Sequence, residues 1–148
     1  MNEQKTNKNC RQKIVLAALY LFSQNKNKKA DSPHGRDKEV SWPEIAECVK
    51  EFQKKFPLGY EFSDELLVCQ DLIEDLKDLW LDKNYIRMWT NEPRGVPLFP
   101  TNFVALKPEG ANYIKREVLL SFEMIEALNK AIELAIERYK KTWGPYSR

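Results

Sequence analysis

Apolar positions along the chain change period several times, and each change marks an element. From Arg11 to Gln24 the residues Ile14, Leu16, Ala17, Leu19, Tyr20, Leu21 and Phe22 are too closely set for a thin stripe. They predict a central, well-buried helix. The polar stretch "NKNKKADSPHGRDKE" follows, broken by Pro33 and Gly35, with Val40 as a short strand behind it. "SWPEIAECVKEFQKKF" then opens on Ser41 with Glu44 three residues on, the spacing of a capping box. Its face is Ile45, Val49, Phe52 and Phe56, and Pro57 and Gly59 stop it. A third helix is predicted from Ser63 as N-cap, with Leu66, Leu67, Val68, Cys69, Leu72, Ile73, Leu76, Leu79 and Trp80 as its apolar side. The period next drops to two. "YIRMWT" and "FVAL" read as strands of a β-hairpin over residues 85–106, joined by the proline-rich "NEPRGVPLFPTN". "KPEGANYIKRE" turns into another helix.

The last segment, "SFEMIEALNKAIELAIERYKKTW", is one long helix. Ile125, Leu128, Ile132, Ala135 and Tyr139 alternate three and four apart as a heptad seam, widened by Met124, Ala127, Ala131 and Leu134. The seam packs either on its own domain or on a second copy; a terminal helix with more than one apolar face favours the second, a homodimer.

Charge changes the picture at the third helix. The chain as a whole carries a formal net charge of only +2. Its N-terminal third is basic, with Lys5, Lys8, Arg11, Lys13, Lys26, Lys28, Lys29, Arg36 and Lys38. Around the third helix, Glu61, Asp64, Glu65, Asp71, Glu74, Asp75, Asp78 and Asp82 stand against Lys77 and Lys83 alone. These acids are expected mostly on a solvated face opposite the apolar one.

The order is helix, loop, helix, helix, strand, wing, strand, helix. "LLVCQDLIEDLKDLWLDKNYIRMW" and "FVALKPEGANYIKRE" carry a resemblance to the winged helix-turn-helix superfamily, with Lys107 standing where that superfamily usually has threonine. The long C-terminal helix resembles the dimerisation helix of PadR-like and MarR-like regulators. The resemblance implies a mainly α fold with a small β-hairpin. The expected division is a flexible basic tail (1–10), a winged-helix domain (11–117) and a C-terminal helix (118–148) that the resemblance makes a candidate for dimerisation. The resemblance also implies DNA as partner and transcriptional regulation as function, with the third helix in the major groove and the wing on the phosphates. By position the groove-facing residues would be Asp64, Glu65, Gln70, Asp71, Glu74 and Lys77. Phosphate binding rests on lysine and arginine, so such a face would repel DNA. The expected DNA contacts are therefore Lys50, Lys54 and Lys55 on the second helix and Arg87 and Arg94 at the wing. The alternative is a protein-interaction module whose acidic third helix and proline-rich wing meet a basic partner.

Chemistry adds little. No phosphate-loop, dinucleotide, zinc-protease or nucleophile-elbow motif is present. His34 is the single histidine, in a polar loop. Cys10, Cys48 and Cys69 are scattered, which predicts neither a metal site nor disulfides and suggests a reducing cytoplasm. Trp42, Trp80 and Trp89 fall in apolar patterns and are expected inside, although Trp89 and Phe99 near the wing are candidates for stacking on a partner. The expectation is no enzyme, cofactor, metal or membrane span.

Overall fold

A computed structural model describes residues 8–25, 39–63, 69–90 and 102–143. Those residues form a mainly helical fold with one small three-stranded antiparallel sheet. The elements are α1 (Lys8–Gln24), β1 (Val40–Ser41), α2 (Trp42–Gln53), α3 (Gln70–Lys77) with a π-helical continuation (Asp78–Asp82), β2 (Ile86–Thr90), β3 (Asn102–Leu106), α4 (Pro108–Glu117) and α5 (Phe122–Trp143).

The centre of the molecule is α1. Ile14 through Leu19 and Phe22 are all buried, as their density in the sequence predicts. The helix touches α2, α3, α4, α5 and β3, and its fully exposed residues lie at its two ends. It begins at Lys8, so the last three residues of the expected tail are helical; residues 1–7 lie outside the described set.

β1 and α2 are joined by a capping box. The Glu44 N–H donates to Ser41 Oγ at 3.3 Å, and the Ser41 N–H donates back to Glu44 Oε1 at 3.0 Å. Both residues are buried, so each polar group depends on the other. Ser41→Ala is expected to cost about 1–2 kcal/mol, the range for a lost N-cap. A urea titration measures it as a lower midpoint with unchanged slope.

β3 lies at the centre of the sheet, with β1 on one side and β2 on the other. The hairpin pairs Ile86 with Leu106 and Thr90 with Asn102, so residues 91–101 connect the two strands, outside the described set. Both expected strands of the hairpin are therefore present, as is the short strand at Val40.

The third helix departs from expectation. Ser63 is not its cap. Cys69 stands at the N-cap with φ −144° and ψ 110°, an extended backbone through which no helix can run, and α3 begins at Gln70. Asp64, Glu65, Leu66, Leu67 and Val68 lie outside the described residues. At its other end the helix widens into the π-turn, where the Lys83 N–H reaches back five residues to the Asp78 carbonyl. The added residue shifts the helical phase. Leu79 stays in the core, but Trp80 is 37% exposed and Leu81 66%, so Trp80 is not the core residue its neighbours suggested.

α4 docks on the entry to β2. The Lys107 N–H donates to the Tyr85 carbonyl, and the Tyr85 and Tyr113 rings stack with centroids 4.7 Å apart. The Lys107 ammonium donates to Asn84 Oδ1 at 2.6 Å. Asn84 itself has a positive φ of 61° and turns the chain from the π-turn into β2. α5 closes the fold by lying along α2 and across α1.

Candidate functional site

The charges of α3 are divided between two tasks. Its inner side carries an acid. Asp75 falls on the same arc as Leu72, Leu76 and Leu79, and its side chain is 1% exposed. It is held there by α1 and by the segment that follows α2. The Arg11 guanidinium donates through Nε to Asp75 Oδ2 at 2.9 Å and through Nη2 to Oδ1 at 3.2 Å. The Tyr60 hydroxyl donates to Oδ2 at 2.6 Å. Arg11 also lies over the Tyr60 ring, 5.1 Å from its centroid. Burial, and then the bond to Asp75, push the Tyr60 phenol well above its ordinary value, so it remains a donor.

One turn on, Asp78 accepts from Gln12 Nε2 at 2.9 Å, and Lys8 Nζ stands 3.8 Å away. Lys83 Nζ closes the cluster on Gln12 Oε1 at 3.4 Å. Hydrogen bonding with Asp82 and Gln12 draws Asp78 below the usual carboxylate range, while the same contact with Asp78 holds Asp82 above it. The basic front of α1 is thus matched to the acids of α3 within one molecule. Asp75 was expected on a solvated face; it is buried because three donors satisfy it. The sequence did carry a signal for this: an acid set inside an apolar arc requires a buried partner.

The outer side of α3 presents Gln70, Glu74 and Lys77 to solvent, with Asp71 half-buried. Gln70 Nε2 donates to Glu74 Oε2 at 2.8 Å. Trp80 and Leu81 extend this side at the π-turn, followed by exposed Asp82.

Of the residues expected to contact DNA, Lys50 lies on α2, Lys54 and Lys55 directly follow it, and Arg87 lies on β2. Lys50 is half-buried, with its ammonium 6.0 Å from the centre of the Phe62 ring. Lys54 pairs with Glu51 at 3.0 Å. Lys55 faces α5 across a groove that also holds Glu51, Glu123 and Glu126. Arg138 donates to Glu47 at 2.8 Å and to Glu51 at 3.0 Å, so α2 and α5 are pinned by charge along this side. Burial raises Glu51, but Lys54 and Arg138 outweigh it and hold the carboxyl low. Arg87 is exposed on β2, between buried Ile86 and half-buried Met88. Arg94, Trp89 as a side chain, Phe99 and His34 lie outside what is described.

The heptad seam of α5 is also placed differently from its expected use. Leu128, Ile132, Ala135 and Tyr139 are buried within this chain, and only Ile125 is exposed, at 37%. The seam fills the core against α2 and α1, so the stripe expected to pair with a second copy is already covered. Cys48 and Cys69 are buried thiols, and burial pushes both upward. Among the described residues, no three His, Cys, Asp or Glu side chains gather as a metal group, and no helix is long and apolar enough to cross a membrane.

No family model matches the chain, and neither a curated protein nor a solved structure does.

Proposed function

We propose that the chain is a winged-helix DNA-binding protein, a transcriptional regulator that meets the phosphate backbone with the β2–β3 hairpin rather than with α3. One observation carries this reading. The element order α1, β1, α2, α3, β2, β3, α4 follows the order read from the sequence, and exposed Arg87 lies on the strand that leads into residues 91–101. Arg94 falls within that connection in the sequence. Lys54 and Lys55, each near acids, have a smaller share than their number suggests. Exposed Glu74 keeps α3 off the phosphates by repulsion.

Titration of a random duplex at low and at moderate salt tests the reading. Binding is expected at low salt and falls steeply as salt rises. Arg87→Glu and Arg94→Glu each weaken it and flatten the salt dependence. Undetectable binding at low salt removes DNA as the partner.

A second reading has its own observation. Trp80 and Leu81 are exposed at the π-turn next to exposed Asp82, on the helix that also exposes Glu74, and apolar and acidic groups together suit a basic protein partner rather than DNA. In that case Glu74→Lys abolishes capture of the partner and leaves the fold intact.

A further inference from the structure

A small hollow of about 20 Å³ lies where the start of α1 meets the exit of the π-turn and α4. Asn9, Gln12 and Lys13 line it from one face of α1, Lys83 and Tyr85 from the chain that enters β2, and Tyr113 from α4. No carboxylate belongs to this lining. The space admits a single oxygen-sized group, so neither a nucleotide base nor a bulky apolar ligand fits inside. The stacked Tyr85 and Tyr113 rings hold α4 against the β2 entry and fix two of the walls. The hollow stands at the base of the β2–β3 hairpin, at the end of β2 opposite residue 91.

The cations here are held differently from those elsewhere in the fold. Arg11, Lys54 and Arg138 each bond a carboxylate. At the hollow the Lys83 ammonium bonds a neutral amide, Gln12 Oε1, at 3.4 Å, and just beyond it Lys107 bonds the neutral Asn84 Oδ1. An amide oxygen positions a cation without cancelling its charge, and a contact of 3.4 Å is long enough for a charged acceptor to displace it. Lys13 is half-buried and makes no ion pair among the described residues; Glu117 shares the neighbouring cleft with it but stands beyond ion-pair distance. On the π-turn side Asp78 and Asp82 share the field of Lys8 and Lys83, two acids against two lysines, which leaves Lys13 as the surplus charge. The first turn of α1 adds the positive end of its helix dipole.

We propose that this hollow binds a phosphoryl group, from free phosphate or a small phosphate monoester, with one oxygen seated inside and the others at the mouth on Lys13 and Lys83. A tetrahedral dianion takes donors from several directions, and here they converge from α1 and from the entry to β2. The site lies away from the wing and does not rest on DNA binding.

An NMR titration of the isotope-labelled full chain tests the proposal, with sodium phosphate compared against sodium chloride at equal ionic strength. Phosphate is expected to give saturable amide shifts centred on Asn9, Lys13, Lys83 and Tyr85, and chloride is not. Lys13→Gln and Lys83→Gln should each weaken phosphate by about tenfold or more, as loss of a hydrogen bond to a charged group does. Lys13→Arg should retain most of the affinity, and Lys54→Gln on the far side should leave it unchanged. Circular dichroism checks that each variant is folded. Glycerol phosphate separates the two sources: tighter binding than phosphate assigns the ester, equal or weaker binding assigns free phosphate. Shifts that do not saturate, or that chloride reproduces, overturn the proposal. So does saturable binding that both glutamine variants leave intact. Weaker duplex binding in Lys13→Gln, with no response of the parent protein to phosphate, assigns the lysines to DNA and overturns it as well.

Discussion

Asp75→Ala is expected to destabilise the fold by about 3 kcal/mol, near the lower end for a broken buried ion pair. The substitution leaves the Arg11 guanidinium, only 12% exposed, without a counter-charge, and leaves the Tyr60 hydroxyl without an acceptor. Arg11 retains a narrow path to water, which sets the cost at the lower end. Asp75→Asn keeps an acceptor for Tyr60 and loses less. The double replacement Arg11→Met with Asp75→Leu removes both charges together, and its cost is expected to fall well short of the sum of the two single changes. Urea midpoints of the four proteins give the coupling directly. A loss under about 1 kcal/mol for Asp75→Ala, the scale of a surface pair, would mean that water reaches the cluster and that α1 and α3 are not joined by it.

Gly110→Ala is expected to destabilise as well, against the usual trend. In a helix, alanine is ordinarily favoured over glycine by about 1 kcal/mol. At Gly110 the added Cβ would collide with the Tyr85 carbonyl oxygen and stand 2.8 Å from Leu106 Cδ1. The carbonyl cannot retreat, because it accepts the Lys107 N–H at the start of the same helix. The net cost is therefore about 1–3 kcal/mol, the range for overpacking. Asn112→Ala, exposed on the same helix, serves as control and is expected to be neutral or slightly stabilising. Thermal unfolding separates the two; a Gly110→Ala protein as stable as the parent would mean that α4 is not docked against the Tyr85 backbone.

The elements legible in the sequence were those with one dominant local cause. Density of apolar residues placed α1 at the centre. The Ser41–Glu44 spacing gave the capping box, and alternation gave both hairpin strands. Less legible was the third helix, where two causes compete. A continuous apolar run from Leu66 hides the break, since Cys69 is as apolar in an extended segment as in a helix. The π-turn is a backbone event that no side-chain period announces, yet it decides that Trp80 faces out. The α5 seam shows a third limit: a heptad stripe reads the same whether a neighbouring helix or a second copy covers it, and here α2 covers it. For the candidate site, the acids of α3 were legible by type but not by partner. Asp75 and Asp78 find theirs on α1, far away in sequence.

The central claim is that α3 faces DNA across a repulsive gap while the hairpin makes the contact. Its most direct test is the affinity of Glu74→Lys for a random duplex at low salt, measured by fluorescence anisotropy beside the parent protein. Glu74 is exposed and its replacement breaks no buried contact, so a change in affinity reports on the docking face. The account predicts tighter binding with a steeper salt dependence, because one repulsion is removed and one attraction added. Unchanged or weaker binding would contradict it.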